Sequence, residues 1–404
     1  MNETPRGNRV HIAIFGRTNA GKSSLINRIT GQNISLVSEV RGTTTDPVYK
    51  AMELLPVGPV VFIDTAGIDD TSSIGNLRVE KTEEVLDKMD TAVLVISAET
   101  ILSDEISFEK IWLEKIRKKS KSVTAVINKI DLIENIKTFN EKVQKIEKEL
   151  KINFVQVSTE KNINIESVKR AIIEKAPKNL EGDILIGDKI KTGDKILLVA
   201  PQDIQAPKGR LILPQVQVLR DILDFGGIPT MTTVDQLDNA LKIFDGKPDL
   251  VITDSQVFGI VNQKLDRTVP LTSFSIIMAR AKGDLETLYV GAKKINELKA
   301  GDKILIAEAC THHQLKGDIA REKLPLLLKK KVPELEIDNC SGKDFPKNLE
   351  EYSLVIHCGS CMLNRAETLN RIEKSVNSSV KITNFGLAIA ELNGILDRVV
   401  KIFL

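Results

Sequence analysis

At 404 residues the chain exceeds what one hydrophobic core serves, so two or three domains are expected, each large enough to bury an interior without disulfide staples. Charged residues make up 28% of it but the formal net charge is only +2, which excludes a global field for holding nucleic acid or an anionic membrane. The polar opening Met1 to Arg6 lacks the apolar core and cleavage site of a signal peptide, and the longest apolar runs, such as Ala92 to Ile96, fall well short of the ~18 residues of a membrane helix; a cytoplasmic location is expected.

Apolar runs at Val10 to Phe15, Val60 to Ile63, Ala92 to Ile96, Val123 to Ile127 and Phe154 to Val157 alternate with amphipathic helical patterns, which predicts an α/β domain with a mostly parallel sheet over residues 1–176. The polar, Pro- and Gly-containing stretch Ala176 to Gly182 marks its end. A second α/β unit is expected over 184–272, with strands Lys195 to Val199 and Leu250 to Thr253, a helix starting after Leu213 with Pro214 in its first turn, and another capped by Thr233. A third, 273–404, has strands at Lys303 to Ala307, Ser353 to His357 and Lys381 to Thr383 and helices near Ile319 to Lys330, Asn364 to Val376 and Leu387 to Val400. Gly-Asp-Lys-Ile-Leu recurs at Gly193 and Gly301; five residues are too few to claim a duplicated domain, and the recurrence is read as a coincidence of turn chemistry.

Gly16-Arg17-Thr18-Asn19-Ala20-Gly21-Lys22-Ser23 matches the P-loop pattern after a strand and before a helix. In such a loop the backbone amides of Gly16, Asn19, Ala20 and Gly21 and the helix start, with Ser24 beside it, aim at phosphates; Lys22 reaches the outer phosphates and Ser23 ligates magnesium. Asp64-Thr65-Ala66-Gly67 follows a strand, so Asp64 can hold magnesium through water and Gly67 can approach the last phosphate. Asn128-Lys129-Ile130-Asp131 follows another, and the Asp131 carboxylate can accept both hydrogen bonds offered by guanine, an edge adenine lacks, which selects GTP. Ser158 and Thr159 lie where a loop could support Asp131 and the base. Arg41 to Asp46 occupies the place of a switch loop, with Thr44 as the threonine that senses the last phosphate through magnesium. Lys22, Thr44, Asp64 and Gly67 are thus the expected catalytic set.

These motifs, in this order over about residues 8–175, resemble small GTPases of the Era and TrmE type and imply GTP hydrolysis. Ile68 stands where Ras-like proteins carry the water-positioning glutamine, so intrinsic hydrolysis is expected to be slow. Asn19 resembles the P-loop asparagine that helps hold a potassium ion in the TrmE-like branch, which implies potassium stimulation.

Three of the four cysteines and three of the four histidines fall within Cys310-Thr311-His312-His313 and His357-Cys358-Gly359-Ser360-Cys361. Both groups follow predicted strands; if these are parallel neighbours joined by the intervening helix, both groups reach one carboxyl edge and can share a metal. Three thiolates with a Cys-x-x-Cys pair suit an iron–sulfur cluster, with one iron left for Glu308, His312, His313, His357 or an outside ligand. A structural zinc site and a thiol redox pair are the alternatives. Cys340 is isolated and reads as a bystander, and His11 as structural.

With the P-loop set, the two Cys/His groups, Ala206 to Gln217 and Leu271 to Ile276, nearly the whole chain resembles the HydF family, GTPase maturation factors of the iron-only (FeFe) hydrogenase. The resemblance implies a P-loop GTPase domain, an α/β dimerisation domain and an α/β domain holding a 4Fe-4S cluster through Cys310, Cys358 and Cys361. It implies a homodimer that assembles a two-iron precursor with the radical S-adenosylmethionine maturases HydE and HydG and passes it to the apo-hydrogenase HydA, without nucleic acid or membrane. The alternative is an RNA-acting GTPase of the TrmE/Era kind with a structural metal domain.

Overall fold

The computed structural model describes residues 6–31, 47–67, 73–119, 121–177, 184–202, 211–309, 318–342, 344–346 and 348–404. The switch-loop residue Thr44, Ile68, Cys310, His312 and His313 lie outside these residues. The chain divides into two compact units, Met1–Glu181 and Gly182–Leu404.

The first unit is built on β1 (Val10–Phe15), β2 (Val48–Leu54), β3 (Gly58–Asp64), β4 (Thr91–Ser97), β5 (Ser122–Asn128) and β6 (Phe154–Gln156), in the order β2-β3-β1-β4-β5-β6. All pairs are parallel except β2 with β3. β1 and β4 are buried along their whole lengths and β3 and β5 along most of theirs, as a sheet covered by helices on both faces requires. Sequence reading missed β2, whose burial alternates because it is an antiparallel edge strand. His11 is structural as expected: its ring Nδ1 sits 2.9 Å from Arg9 O and its backbone N–H donates to Asp90 at 2.8 Å.

The second unit carries two four-stranded parallel sheets. One contains β7 (Lys195–Val199), β8 (Ile228–Thr232), β9 (Leu250–Thr253) and β10 (Leu271–Ser273), ordered β10-β9-β7-β8; the other contains β11 (Lys303–Glu308), β12 (Glu336–Ser341), β13 (Leu354–His357) and β14 (Lys381–Asn384), ordered β12-β11-β13-β14. Counted from its own first strand, each sheet runs 2-1-3-4. One core serves both, since Leu197, Val199 and Val251 share a hydrophobic cluster with Ile304 to Ala307 and Leu354 to Ile356. Fully burying each such side chain stabilises by about 1.5–3 kcal/mol. The helix Phe274–Lys282 packs on the central sheet through Phe274, Ile277 and Met278, so a break at 272/273 would separate it from the core it completes.

The matching order overturns the reading of Gly-Asp-Lys-Ile-Leu as coincidence. Gly193 and Gly301 have positive φ (90° and 82°) and donate to Gly226 O and Glu334 O, at 2.9 and 3.0 Å. Asp194 and Asp302 each accept from the backbone N–H three residues earlier at 2.8 Å, and each offers its carbonyl to the second strand of its sheet. At the far end Leu271-Thr272-Ser273-Phe274 matches Ile382-Thr383-Asn384-Phe385: Ser273 and Asn384 both cap the following helix, and Thr272 and Thr383 both keep a buried hydroxyl oxygen without a partner among the described residues. Residues 184–404 are therefore a structural repeat whose halves have diverged almost everywhere except at turns and caps.

Three further expectations are corrected. The helix expected over Leu387 to Val400 is two, Phe385–Leu392 and Leu396–Val400, because Gly394 takes a left-handed φ of 68° that ends the first. Thr233 precedes a 3-10 turn (Val234–Gln236) without a side-chain capping bond. β11 and β13 are parallel neighbours as expected, but the helix between them, Leu324–Lys331, leads first to β12, which sequence reading missed because its charged edge hides the strand pattern.

Gly291 in the helix Leu285–Lys293 lies against β14: an added Cβ would come within 1.8 Å of Ile382 O. Gly291→Ala should destabilise the second unit by about 1–3 kcal/mol. Gly301→Ala, where no atom lies within 4 Å of the added Cβ, should cost only the backbone strain, on the order of 1 kcal/mol. Thermal unfolding of the two variants checks the order; a larger loss for Gly301→Ala would contradict it.

Candidate functional site

β1 ends at Phe15 and the helix Lys22–Thr30 begins after a turn that needs glycine at two positions and a left-handed residue at a third. A Cβ on Gly16 would lie 2.3 Å from Val95 O, and one on Gly21 would lie 2.1 Å from the Asn128 side-chain amide. Asn19 and Gly21 both have positive φ, 63° and 91°. Lys22 is buried, and its Nζ donates to Gly16 O (2.9 Å) and Arg17 O (3.0 Å), so its ammonium is already held over the loop. Ala20 is buried and Ser24 exposed.

Asn128 ties the site together: its Nδ2 donates to Ala20 O at 3.0 Å, and its Oδ1 accepts from Thr159 N at 3.1 Å. One fully buried side chain thus fixes the P-loop against the loop of Ser158 and Thr159. Lys129 has a left-handed φ of 65°, which turns the chain so that Asp131 follows in a short 3-10 turn.

Ser23 Oγ donates to Asp64 Oδ2 at 2.5 Å. The other oxygen of that carboxylate, Oδ1, is buried without a hydrogen-bond partner among the described residues, and so is Asp131 Oδ1. An unsatisfied buried carboxylate oxygen is costly unless a ligand completes it. The two orphans are the oxygens that a hydrated cation and a guanine edge would satisfy. Burial raises the Asp64 carboxyl above its ordinary value, opposed by the Ser23 hydrogen bond and by the charges of Lys22 and Lys50. Lys50, on β2, is buried and donates to Asn27 Oδ1 at 2.6 Å; sequence reading missed it because its strand was missed. Thr65 Oγ1 donates to Ile14 O at 2.6 Å, which anchors the backbone entering Gly67.

In the second unit, β11 and β13 deliver their following residues to one edge. Cys358 N donates to Ala307 O at 2.8 Å, and Ala309 N donates to Cys358 Sγ at 3.1 Å. Cys310 is the next residue after Ala309 in the chain. Cys358, Cys361 and Glu308 line one cavity of about 220 Å³. The Cys-Gly-Ser-Cys loop is held from below by Lys282 Nζ, which donates to Cys361 O (3.3 Å) and Leu363 O (3.0 Å). Among the described residues no group of three or more His, Cys, Asp or Glu is placed as a metal site.

His357 is buried, with Nε2 2.9 Å from Arg371 Nη1 and Nδ1 2.9 Å from Cys358 O. A guanidinium only donates, so Nε2 accepts and Nδ1 carries the proton; both ring nitrogens are engaged in this arrangement. Burial and Arg371 push its pKa down to about 4. Glu308 pairs with Arg321 at 3.3 Å. Cys340 sits on β12 against the hydrophobic core, its thiol pushed up to about 11 by burial, and does not line the cavity.

Three family models match the chain: 50S ribosome-binding GTPase over residues 11–129, hydrogen maturase F dimerization domain over 185–283, and hydrogen maturase F tetramerization domain over 286–402. The tRNA modification GTPase MnmE of Desulforamulus reducens is 32% identical over 181 residues, 44% of this chain and 36% of that protein. GTPase Der of Kosmotoga olearia is 38% identical over 127 residues, 30% of this chain and 28% of that one. A solved structure of an Era variant from Aquifex aeolicus bound to GDP·AlF4− is similar at 19% identity and a TM-score of 0.37, covering 58% of this chain and 97% of its own. The chain thus spans about a third of the length of the curated relatives it matches. The fold and the first site define a P-loop GTPase domain. The chain belongs to the hydrogen maturase F family, whose two characteristic domains account for 185–283 and 286–402. No helix among the described residues is long and apolar enough to cross a membrane.

Because the Asp64 carboxyl is raised in the folded protein, the nucleotide-free protein loses stability as pH rises from the ordinary carboxyl value through the raised one. Asp64→Asn should therefore raise the unfolding temperature of the nucleotide-free protein at neutral pH while weakening magnesium binding at least tenfold. Calorimetric unfolding and a magnesium titration check both; a lowered unfolding temperature with intact magnesium affinity would contradict the assignment.

Proposed function

We propose that the protein is a GTPase that serves hydrogenase maturation as an iron–sulfur scaffold and carrier. The observation that carries the nucleotide half is the pair of orphan carboxylate oxygens, Asp64 Oδ1 and Asp131 Oδ1, on the two motif aspartates. GTP would lie with its phosphates over Gly16 to Ser24 and its base between Asn128-Lys129-Ile130-Asp131 and Ser158-Thr159. Lys22 would offset charge on the outer phosphates, Ser23 and Thr44 would hold magnesium with Asp64 acting through water, and Gly67 would contact the last phosphate. Potassium at Asn19 would add a second cation beside the transferred group.

For the second half, the donor set fits an iron–sulfur cluster: Cys358 and Cys361 line one cavity, Cys310 follows the residue that bonds Cys358 Sγ, and an N–H donated to a thiolate sulfur stabilises its anionic form. Cys310, Cys358 and Cys361 would hold a 4Fe-4S cluster, which when bound supplies an iron with an exchangeable position. Glu308 faces the same cavity, and His312 and His313 adjoin Cys310, so these stay candidates for that position; the two hydrogen bonds of His357 suit a residue that orients the loop instead. A two-iron precursor made with HydE and HydG would be assembled there and delivered to HydA by a homodimer or larger oligomer. We place three parts at 1–176, 184–283 and 286–404, moving the last boundary from 272/273 because the helix Phe274–Lys282 completes the central core. An RNA-acting role is less favoured: two hydrogen maturase F domain models account for 185–283 and 286–402, more than half of the chain.

Lys22→Ala should abolish GTP hydrolysis without unfolding the protein, and Asp131→Asn should shift preference toward xanthosine nucleotides. Turnover in potassium buffer should exceed that in sodium buffer severalfold; equal rates would refute the Asn19 assignment. Activation of apo-hydrogenase by the purified, precursor-loaded protein tests the carrier role, and activation that survives Cys361→Ser would count decisively against it.

A further inference from the structure

The repeat in residues 184–404 has a consequence for the thiolate site. In a parallel sheet, ligands bind beyond the carboxyl ends of the strands, at the point where the strand order reverses. Each half has such a point, between its first and third strands, and the two face one cavity. Its walls are built from equivalent positions: Asp254 follows β9 as Cys358 follows β13, Ser275 sits two residues past β10 as Gly386 sits two past β14, and Met278 matches Ile389. One wall carries sulfur. The opposite wall carries oxygen.

The oxygen wall is built. Gln215 Nε2 donates to Asp254 Oδ2 at 2.9 Å, which fixes the carboxylate. Ser255, Ser273 and Ser275 form a triangle of hydroxyls, with Ser255 Oγ 3.1 Å from Ser273 Oγ and in contact with Ser275 Oγ, which is 3.0 Å from Ser273 Oγ. Ser273 is spent on capping its helix, whereas Ser255 and Ser275 line the cavity. The repeat leaves room for them: Gly386 has no Cβ, and one there would lie 2.0 Å from Ser275 Oγ.

We infer that the central half supplies the second wall of the cluster site, with Asp254, Ser255 and Ser275 hydrogen-bonding the outer end of a compact ligand whose inner end is bound to iron held by the cysteines. The inference rests on the cluster reading above. The cavity, about 220 Å³, holds the equivalent of about seven water molecules. Its middle is apolar, with Phe274, Met278, Phe385 and Ile389. With Asp254, Glu308 and Asp318 on its walls, an anionic outer end is repelled. An uncharged end that both donates and accepts, such as a hydroxyl, can give a hydrogen to a carboxylate oxygen and take one from a serine.

Two isosteric thiols test this, 2-mercaptoethanol and 1-propanethiol, titrated into the full-length, iron-reconstituted protein and read from the electron paramagnetic resonance spectrum of the reduced cluster. Each exchanges onto iron through sulfur, releasing its thiol proton to solvent as the resident ligand leaves. Wild type should bind 2-mercaptoethanol about three- to tenfold more tightly, the effect of one hydrogen bond. The Ser255→Ala/Ser275→Ala variant, which keeps only Asp254 as a partner for the hydroxyl, should show a clearly smaller preference, with iron content and 1-propanethiol affinity unchanged. Should that variant lose its iron, Gly386→Ala, which displaces the Ser275 hydroxyl, should reduce the preference in its place. Equal binding by wild type, or a preference undiminished in the variants, overturns the inference while leaving the cluster reading intact. Absence of iron uptake by wild type overturns both.

Discussion

A parallel strand can only be followed by a crossover, and every crossover leaves from the same edge of the sheet. That constraint decides where this protein keeps its chemistry. In the first unit β1, β3 and β5 deliver the P-loop, Asp64 and Asn128 to one edge; in the second, β11 and β13 deliver Glu308 and Cys358 to another. Polar and charged side chains gather there because strand interiors are sealed by helices on both faces. Asn128 shows how far the arrangement is determined: a single buried amide links two loops from different crossovers, and the glycine it touches cannot carry a side chain.

Much of this was legible in the chain itself. The central strands of the first sheet are continuous apolar runs, and the motifs that follow them have fixed spacing, so both strands and site residues could be placed. What escaped has a common physical cause. β2, β8 and β12 are edge strands with half-exposed residues, whose pattern is diluted by Lys50, Pro229 and Asp338. β10 is only three residues long. The bond from Arg371 to His357, the tie from Lys282 to the cysteine loop and the link from Asn128 to the P-loop depend on partners between 14 and 108 residues away, which no local pattern encodes.

The repeat was visible only as five shared residues, because a turn constrains sequence more tightly than a helix face does. A φ near 80–90°, as at Gly193 and Gly301, strongly favours glycine, and a carboxylate closing the turn must sit at one position. The helices between those anchors can exchange any apolar residue for another of similar volume, and they have. The two halves therefore share a geometry while one carries cysteines at its carboxyl edge and the other carries carboxylate and hydroxyl groups on the same cavity.

The role proposed for Cys310, Cys358 and Cys361 is to hold a cluster of four irons. Anaerobic purification and reconstitution of wild type and Cys310→Ser, followed by iron and sulfide analysis and electron paramagnetic resonance of the reduced protein, tests it directly. Four irons and four sulfides per chain in wild type, with the cluster lost in Cys310→Ser, is the predicted result. Stoichiometric zinc with no iron uptake would contradict it and would leave a GTPase joined to a structural metal domain.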